Sequence, residues 1–311
     1  PGRWPAFGPW AASRADGVGT APEVIIANVG TASWTADKYE SYHKGGEMEF
    51  EKIVFQVTDN IATIKLNRPK YFNALDFQLG SEMVKALEIC HDDDNIRVVV
   101  LTGEGRSFCS GGDLRLFREQ LDSTNPSDVV RQLVRAFNAI IHGVRSLPKP
   151  VIASINGALG GGGFTLAAAC DIRIAAASAI FRQAYTSVSL VPDGAWTLIV
   201  PMLVGLGKAT ELVLMDPILT AAQALEIGLV NRVVADAELH QATWETAEKL
   251  AKGPTKAFGI AKDNLNNAMF SLLERQLELE RSGMVKAAKT QDYQEGLRAF
   301  FDKREAKFSG R

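Results

Sequence analysis

Hydrophobic and polar positions along this chain become regular from Met48 onward, switching between the period of a strand and that of a helix. Ile53–Val57 and Ile61–Leu66, separated by Asp59-Asn60, predict the two strands of a hairpin. Asp76 is placed to cap a helix whose buried stripe is Leu79, Met83, Val84, Leu87 and Ile89. Arg97–Thr102 is a continuous run of the kind found in strands covered on both faces. A helix through Val129, Leu133, Phe137, Ile140 and Ile141 stops before Pro148-Lys149-Pro150, and Val151–Ile155 is a further buried strand. An Ala-rich helix over Phe164–Cys170 leads to strands at Asp171–Ala175 and Ala179–Phe181. Helices over Thr197–Val204 and Gly207–Met215 come next, then Thr220 capping Ala221–Ile227, Gly228 as the stop, and a last strand at Val230–Val234. After Leu239 the period is helical: Glu245–Lys252, Thr255–Asn267, Leu272–Lys289 and Gln291–Lys307. Strand, turn and helix recur in that order, which predicts α/β layers joined by crossovers.

Residues 1–47 differ from the rest of the chain, with clustered Gly, Pro, Ser and Trp and little periodicity. They lack a basic stretch leading into an apolar core, and they read as an extension or appended leader outside the folded core. The expected division is therefore 1–47 as leader, 48–240 as an α/β core and 241–311 as a helical region.

Two of the strand-to-helix turns are rich in glycine: Gly103 to Asp113, and Gly157 to Gly163 with its run Gly160-Gly161-Gly162-Gly163. Bare backbone at a helix start leaves N–H groups open to an anion, or it lets strand and helix pack closely. A pair of such turns can supply two converging donors for the charge that develops on a thioester oxygen when a neighbouring proton leaves. A phosphate-binding loop is disfavoured, because neither turn carries the Lys such a loop needs.

Composition narrows the chemistry further. A hydrophobic share of 46% and a charged share of 23% describe an ordinary globular chain, and the net charge of −2 favours neither nucleic acid nor an anionic membrane. No apolar run is long enough to span a bilayer. Cys90, Cys109 and Cys170 form no disulfide or zinc pattern, which fits a reducing cytoplasm, and His43, His91, His142 and His240 lack ligand spacing, so no metal is expected.

Four stretches together carry a resemblance. Asn67–Leu75, Ser107–Leu114, Ile155–Gly163 and Glu295–Arg304 resemble the signatures of the enoyl-CoA hydratase/isomerase (crotonase) superfamily, in order, over roughly residues 48–311. The resemblance implies a ββα spiral core with a helical C-terminal trimerisation region, assembling as a homotrimer or a dimer of trimers. It implies acyl-CoA thioester substrates, with no cofactor beyond the coenzyme A of the substrate itself. It puts the oxyanion donors on the N–H groups of Gly112 and Gly162, and the coenzyme A moiety against Lys70, Phe72, Ala74 and Ser110. Leu75, Gly111, Asp113, Leu114, Gly161, Thr165, Tyr185 and Trp196 complete the expected substrate-binding set.

Departures from the family pattern point to the reaction. The two glutamates of the hydratases fall here on Thr165 and Tyr185, which disfavours straight hydration. Asp193 instead occupies the position of the acid in members that shift double bonds or open rings, and Gln183–Asp193 looks most like the epoxyphenylacetyl-CoA isomerase type. One carboxylate suffices for isomerisation, since it can lift a proton from one carbon and return it to another. Pro192-Asp193-Gly194 is also good capping chemistry, so Asp193 can serve as base, as N-cap, or as both. Tyr185 is expected as a pocket wall, Thr165 as a neutral filler, and Arg182 as a residue facing solvent or a subunit contact. The aryl-CoA dehalogenases use the same aspartate as nucleophile, but their partner histidine falls on Asn138, with His142 one turn later. The reading is an acyl-CoA isomerase; a hydratase or hydrolase of a conjugated or cyclic acyl-CoA, and a non-catalytic acyl-CoA-binding scaffold, are the alternatives.

Overall fold

The computed structural model describes residues 50–311; the expected leader over 1–47, and Met48 after it, lie outside the described residues. The hairpin strands are β1 (Ile53–Thr58) and β2 (Ile61–Leu66), antiparallel, with Ile53 opposite Leu66 and Thr58 opposite Ile61. Asp59 and Asn60 both take positive φ, the backbone that a two-residue turn matching strand twist requires. Helix α1 (Phe77–Asp92) starts at Asp76, whose carboxylate accepts from Leu79 N at 2.8 Å. Its buried face is Leu79, Gly80, Met83, Ala86, Leu87 and Cys90; Val84 and Ile89 of the expected stripe are only half-buried.

From there the chain winds as a spiral, each turn giving one strand to each of two sheets. β3 (Val98–Gly103) is followed by β4 (Ser107–Cys109), α2 (Leu114–Glu119) and α3 (Ser127–Ser146). β5 (Val151–Ile155) is followed by β6 (Ala158–Gly160) and α4 (Gly162–Ala169). β7 (Ile172–Ala176) is followed by β8 (Ile180–Arg182), α5 (Trp196–Val204) and α6 (Leu206–Met215). β9 (Leu219–Thr220), α7 (Ala221–Glu226) and β10 (Arg232–Val234) close the core. The larger sheet runs β1-β2-β3-β5-β7-β10 and the smaller β4-β6-β8-β9. Apart from the antiparallel pairs β1–β2 and β8–β9, all pairings are parallel, which is the ββα spiral expected. The very short strands β4 and β6 fall inside the two glycine turns, and β9 ends on Thr220, the expected helix cap, so none of the three shows a strand period of its own.

One face of the larger sheet meets α1, α3 and α4 in a single apolar core. Its other face, with Ile61, Val98, Val100, Ile152 and Ile174, is covered by Leu239, Ala242, Ala247 and Ala251 of α8 (Leu239–Ala251). Three more helices come after it: α9 (Thr255–Met269), α10 (Leu273–Ala287) and α11 (Gln291–Asp302). α11 ends five residues earlier than the expected Lys307, because Lys303 adopts the left-handed conformation. The last residues instead fold back, with Ser309 N and Gly310 N donating to the Asp292 carboxylate at 2.7 Å each.

Candidate active site

The two glycine turns meet. Leu75 N donates to Gly111 O at 2.7 Å and Asp113 N to Leu75 O at 2.9 Å, so the Gly111–Asp113 segment lies alongside Leu75 as a one-residue bridge. Gly111 has φ +91°, and a Cβ there would come within 2.9 Å of Gly160 O and 3.0 Å of Gly162 N, so only glycine lets the turns approach this closely. Gly163 is excluded from any larger residue more severely, since its Cβ would sit 2.0 Å from Cys109 O. Close packing and open backbone therefore belong to different glycines of one run.

The pairing leaves two donors over. In a parallel bridge the flanking residues make the bonds, so the Gly112 N–H is not used by Leu75. Gly162 is the first residue of α4, where an N–H has no intrahelical acceptor. Among the described residues neither N–H finds a partner, and both glycines line the same cavity of about 440 Å³.

That cavity gathers most of the residues singled out from the sequence: Lys70, Phe72, Ala74, Leu75, Ser110, Gly112, Asp113, Leu114, Gly161, Gly162, Tyr185 and Asp193 all line it. Gly111, Thr165 and Trp196 do not. Gly111 is spent in the bridge, Thr165 is fully buried on α4, and Trp196 is packed beside Phe164 with ring centroids 6.0 Å apart. These three support the wall from behind. Arg182, expected to face solvent or a subunit contact, is exposed; it also lines the cavity and pairs with Asp216 at 2.8 Å.

Asp193 is 5% exposed and receives the Tyr185 hydroxyl at 2.7 Å on Oδ1. It does not cap α5: the N-cap is Ala195, and no side chain of this segment bonds the helix start. Thr165 Oγ1 lies 3.0 Å from the Tyr185 hydroxyl and donates to Asp193 O at 3.1 Å, so the three residues form one buried cluster. Burial pushes the Asp193 carboxyl up to about 7; the Tyr185 hydrogen bond opposes this, and the nearby Glu280 charge adds to it. Burial, and after it the Asp193 charge, keeps the Tyr185 hydroxyl protonated far beyond neutral pH, so it acts as donor.

The second carboxylate on the cavity wall behaves differently. Burial alone would raise Asp113, but hydrogen bonds from Arg115 and Arg68 outweigh it and hold the group below its ordinary value. Arg68 also bonds Ala74 O and Asp76, tying the loop before α1 to the turn before α2. Above it Tyr71 is stacked by Arg115, 3.6 Å from the ring centroid, and Phe72 by Arg106 at 4.4 Å. Lys70, Arg115 and Arg182 thus give the cavity wall a positive side, while Phe117, Leu133, Val134, Phe137, Leu190, Met284 and Phe300 make the rest apolar.

Several of these lining residues escape sequence reading. Phe137 shows only as one of a buried stripe, yet its ring approaches both Gly162 and Gly194, within 3.3 Å and 2.4 Å of their Cβ positions. Met284 arrives from α10 and carries no motif; Phe300 arrives from α11, inside the Glu295–Arg304 signature, which gives it no role of its own. A separate, more open depression of about 670 Å³ beside Arg304 and Glu295 holds none of the expected residues; those two form an exposed ion pair at 2.6 Å.

An apolar cavity with two unclaimed N–H donors, a carboxylate of near-neutral pKa and a basic wall can stabilise an oxyanion and move a proton beside it. Comparison with known proteins agrees with that inventory. The family model for enoyl-CoA hydratase/isomerase matches residues 56–311. A 1,2-epoxyphenylacetyl-CoA isomerase of Escherichia coli is 37% identical over 265 residues, 85% of this chain and 100% of the relative. A trans-2-decenoyl-[acyl-carrier-protein] isomerase of Streptococcus mutans is 31% identical, over 85% of this chain and 100% of its own. A solved enoyl-CoA hydratase from Mycobacterium avium subsp. paratuberculosis superposes with a TM-score of 0.76 at 28% identity, covering 84% of this chain and all of that one.

Proposed function

The chain belongs to the enoyl-CoA hydratase/isomerase family, and we propose that within it the protein is an acyl-CoA isomerase, shifting a double bond or rearranging a ring. The observation that carries this reading is the Thr165–Tyr185–Asp193 cluster. Where the hydratases of the family place two carboxylates, this chain has two hydroxyls, and both donate to Asp193, Tyr185 to its carboxylate and Thr165 to its backbone carbonyl. Asp113 is neutralised by Arg68 and Arg115, so Asp193 is the one lining carboxylate outside an ion pair among the described residues.

In this reading the thioester oxygen sits between the Gly112 and Gly162 N–H groups. Asp193 in its ionised form takes a proton from the carbon next to the thioester carbonyl, and the negative charge that develops on oxygen is held by the two donors. The protonated Asp193 then returns the proton to a different carbon of the conjugated system, which moves the double bond. No group is consumed, so no cofactor is required; coenzyme A enters and leaves with the substrate, its phosphates facing Lys70 and Arg115. Two relatives named as isomerases, one acting on an acyl-CoA and one on an acyl carrier protein thioester, support the reaction class.

The test is to offer 3-enoyl-CoA and 2-enoyl-CoA separately. Appearance of the 2-enoyl product from the first, with no water added to the second, is expected. Hydration of the 2-enoyl substrate as the main reaction would overturn the isomerase reading in favour of a hydratase. Thioester binding with no turnover of any acyl-CoA, ring-bearing ones included, would overturn it in favour of a scaffold.

A further inference from the structure

Asp193 escapes the task of capping α5 because another acid performs it. Glu280, on α10, is 5% exposed and accepts from Ala195 N at 2.5 Å and Thr197 N at 2.8 Å, and from the Thr197 hydroxyl. These donors are presented by a turn in which Gly194 (φ 69°) and Ala195 (φ 64°) are both left-handed, which turns the Ala195 and Thr197 N–H groups toward one anion while the Trp196 N–H between them donates to Asp193 O. Ala195 is a non-glycine in that region, a conformation that persists only where surrounding contacts hold it. Gln276, one turn earlier on α10, donates to the Thr197 hydroxyl at 2.7 Å and orients it. Glu280 itself does not line the cavity.

Resting on the reaction proposed above, we propose that Glu280 is a positioning residue: by filling the N–H groups at the start of α5 it fixes the Gly194–Ala195 turn and leaves the Asp193 carboxylate free to face the cavity. Without this partner the free N–H groups of the helix start would draw the Asp193 carboxylate, two residues before Ala195, and the base would leave the cavity. The same charge adds to the high proton affinity of Asp193, behind the larger effect of burial. The titratable groups that face Asp193 are Tyr185, from the turn after β8, and Glu280; α4 presents Thr165 and α3 presents the Phe137 ring against Gly194.

Two measurements test the assignment. The first needs no substrate: a carboxyl carbon NMR titration, with Asp193 identified from its absence in Asp193→Asn. Glu280→Gln is expected to move the Asp193 midpoint to lower pH, because it removes a negative neighbour and loosens the turn. An unmoved midpoint overturns the proposal. The second is kinetic: in Glu280→Gln, kcat for isomerisation is expected to fall about 10- to 100-fold with KM within a few-fold, the signature of a misaimed base. A loss confined to KM overturns it. Should Glu280→Gln fail to fold, Thr197→Val keeps both backbone bonds and removes one hydroxyl donor; a smaller fall in kcat at constant KM supports the role, and unchanged kcat overturns it. A wild-type protein that isomerises nothing, but whose Asp193 midpoint moves in Glu280→Gln, sinks the proposed reaction and leaves the positioning role standing.

Discussion

The Tyr185 hydroxyl donates to Asp193 Oδ1 across 2.7 Å inside a site where both residues are buried. This bond favours the ionised carboxylate and so opposes the burial that pushes Asp193 up to about 7. A base must be ionised to accept a proton, so the isomerisation rate is expected to rise with pH through about 7. Tyr185→Phe removes the opposing bond while retaining the ring. The rate midpoint should then move to higher pH, by roughly one unit, with about fivefold less activity at pH 7 and most of it regained at high pH. A pH–rate profile of both proteins checks this, and an unmoved midpoint would show that the hydroxyl does not tune the base.

Asp193→Asn should lower kcat by about 10²- to 10⁴-fold, the range general base catalysis supplies, with KM for the thioester within a few-fold. The same substitution should also stabilise the protein in a pH-dependent way. Asp193 titrates near 3.8 when unfolded and near 7 when folded, so between those values the folded state binds more protons and stability falls as pH rises. The loss is complete above about 7 and absent below the unfolded value. Asparagine carries no such penalty, so its advantage in urea unfolding should be on the order of a few kcal/mol at pH 8 and vanish near pH 3.

The α/β layering of the core was legible in the sequence because buried strands and amphipathic helices recur, each long enough to show a period; its winding as a ββα spiral came only from the family resemblance. β4, β6 and β9 were not legible, since elements of two or three residues owe their form to neighbours already in place. The glycine turns were legible as a pair, but not the division of labour within them: Gly111 and Gly163 answer to steric contacts that only the fold creates, while Gly112 and Gly162 keep their N–H groups unclaimed. From sequence, the family position puts base ahead of cap for Asp193 without removing the cap, because a cap is recognised by local residues and the acid that fills this one, Glu280, comes from a distant helix. Thr165, which sequence position places among substrate contacts, lies behind Tyr185 for the same reason: which side of α4 faces the cavity depends on how the helix packs.

Gly162 allows the donor itself to be removed. It is the first residue of α4, where proline is tolerated because that N–H has no intrahelical role. Gly162→Pro deletes the donor but also brings a Cβ to 3.3 Å from Phe137 Cζ and 3.4 Å from Leu75 Cδ1. Gly162→Ala brings the Cβ crowding and retains the N–H, so the comparison removes that contribution and leaves the loss of the donor together with the ring Cδ that takes its place. If Gly162 holds the developing oxyanion, the proline variant should have a kcat about 10²- to 10³-fold below the alanine variant. Equal rates in the two would place the thioester oxygen elsewhere.

Arg68 joins the two loops that form the basic side of the cavity. Its guanidinium bonds Ala74 O, lies 2.9 Å from Asp76 Oδ2 and 3.1 Å from Asp113 Oδ2, and its side chain is 9% exposed. The Asp76 carboxylate also caps α1, and Asp113 also caps α2, so one side chain couples two helix starts to the loop carrying Lys70 and Phe72. Arg68→Ala leaves Ala74 O without this donor and Asp113 with Arg115 alone. Breaking a buried pair by removing one partner costs about 3 kcal/mol, which urea unfolding would register directly. On the proposed reading these loops hold the coenzyme A end of the substrate and carry no proton-transferring group, so KM should rise about tenfold while kcat changes less. A fall in kcat at constant KM would mean instead that the loops serve the reacting centre.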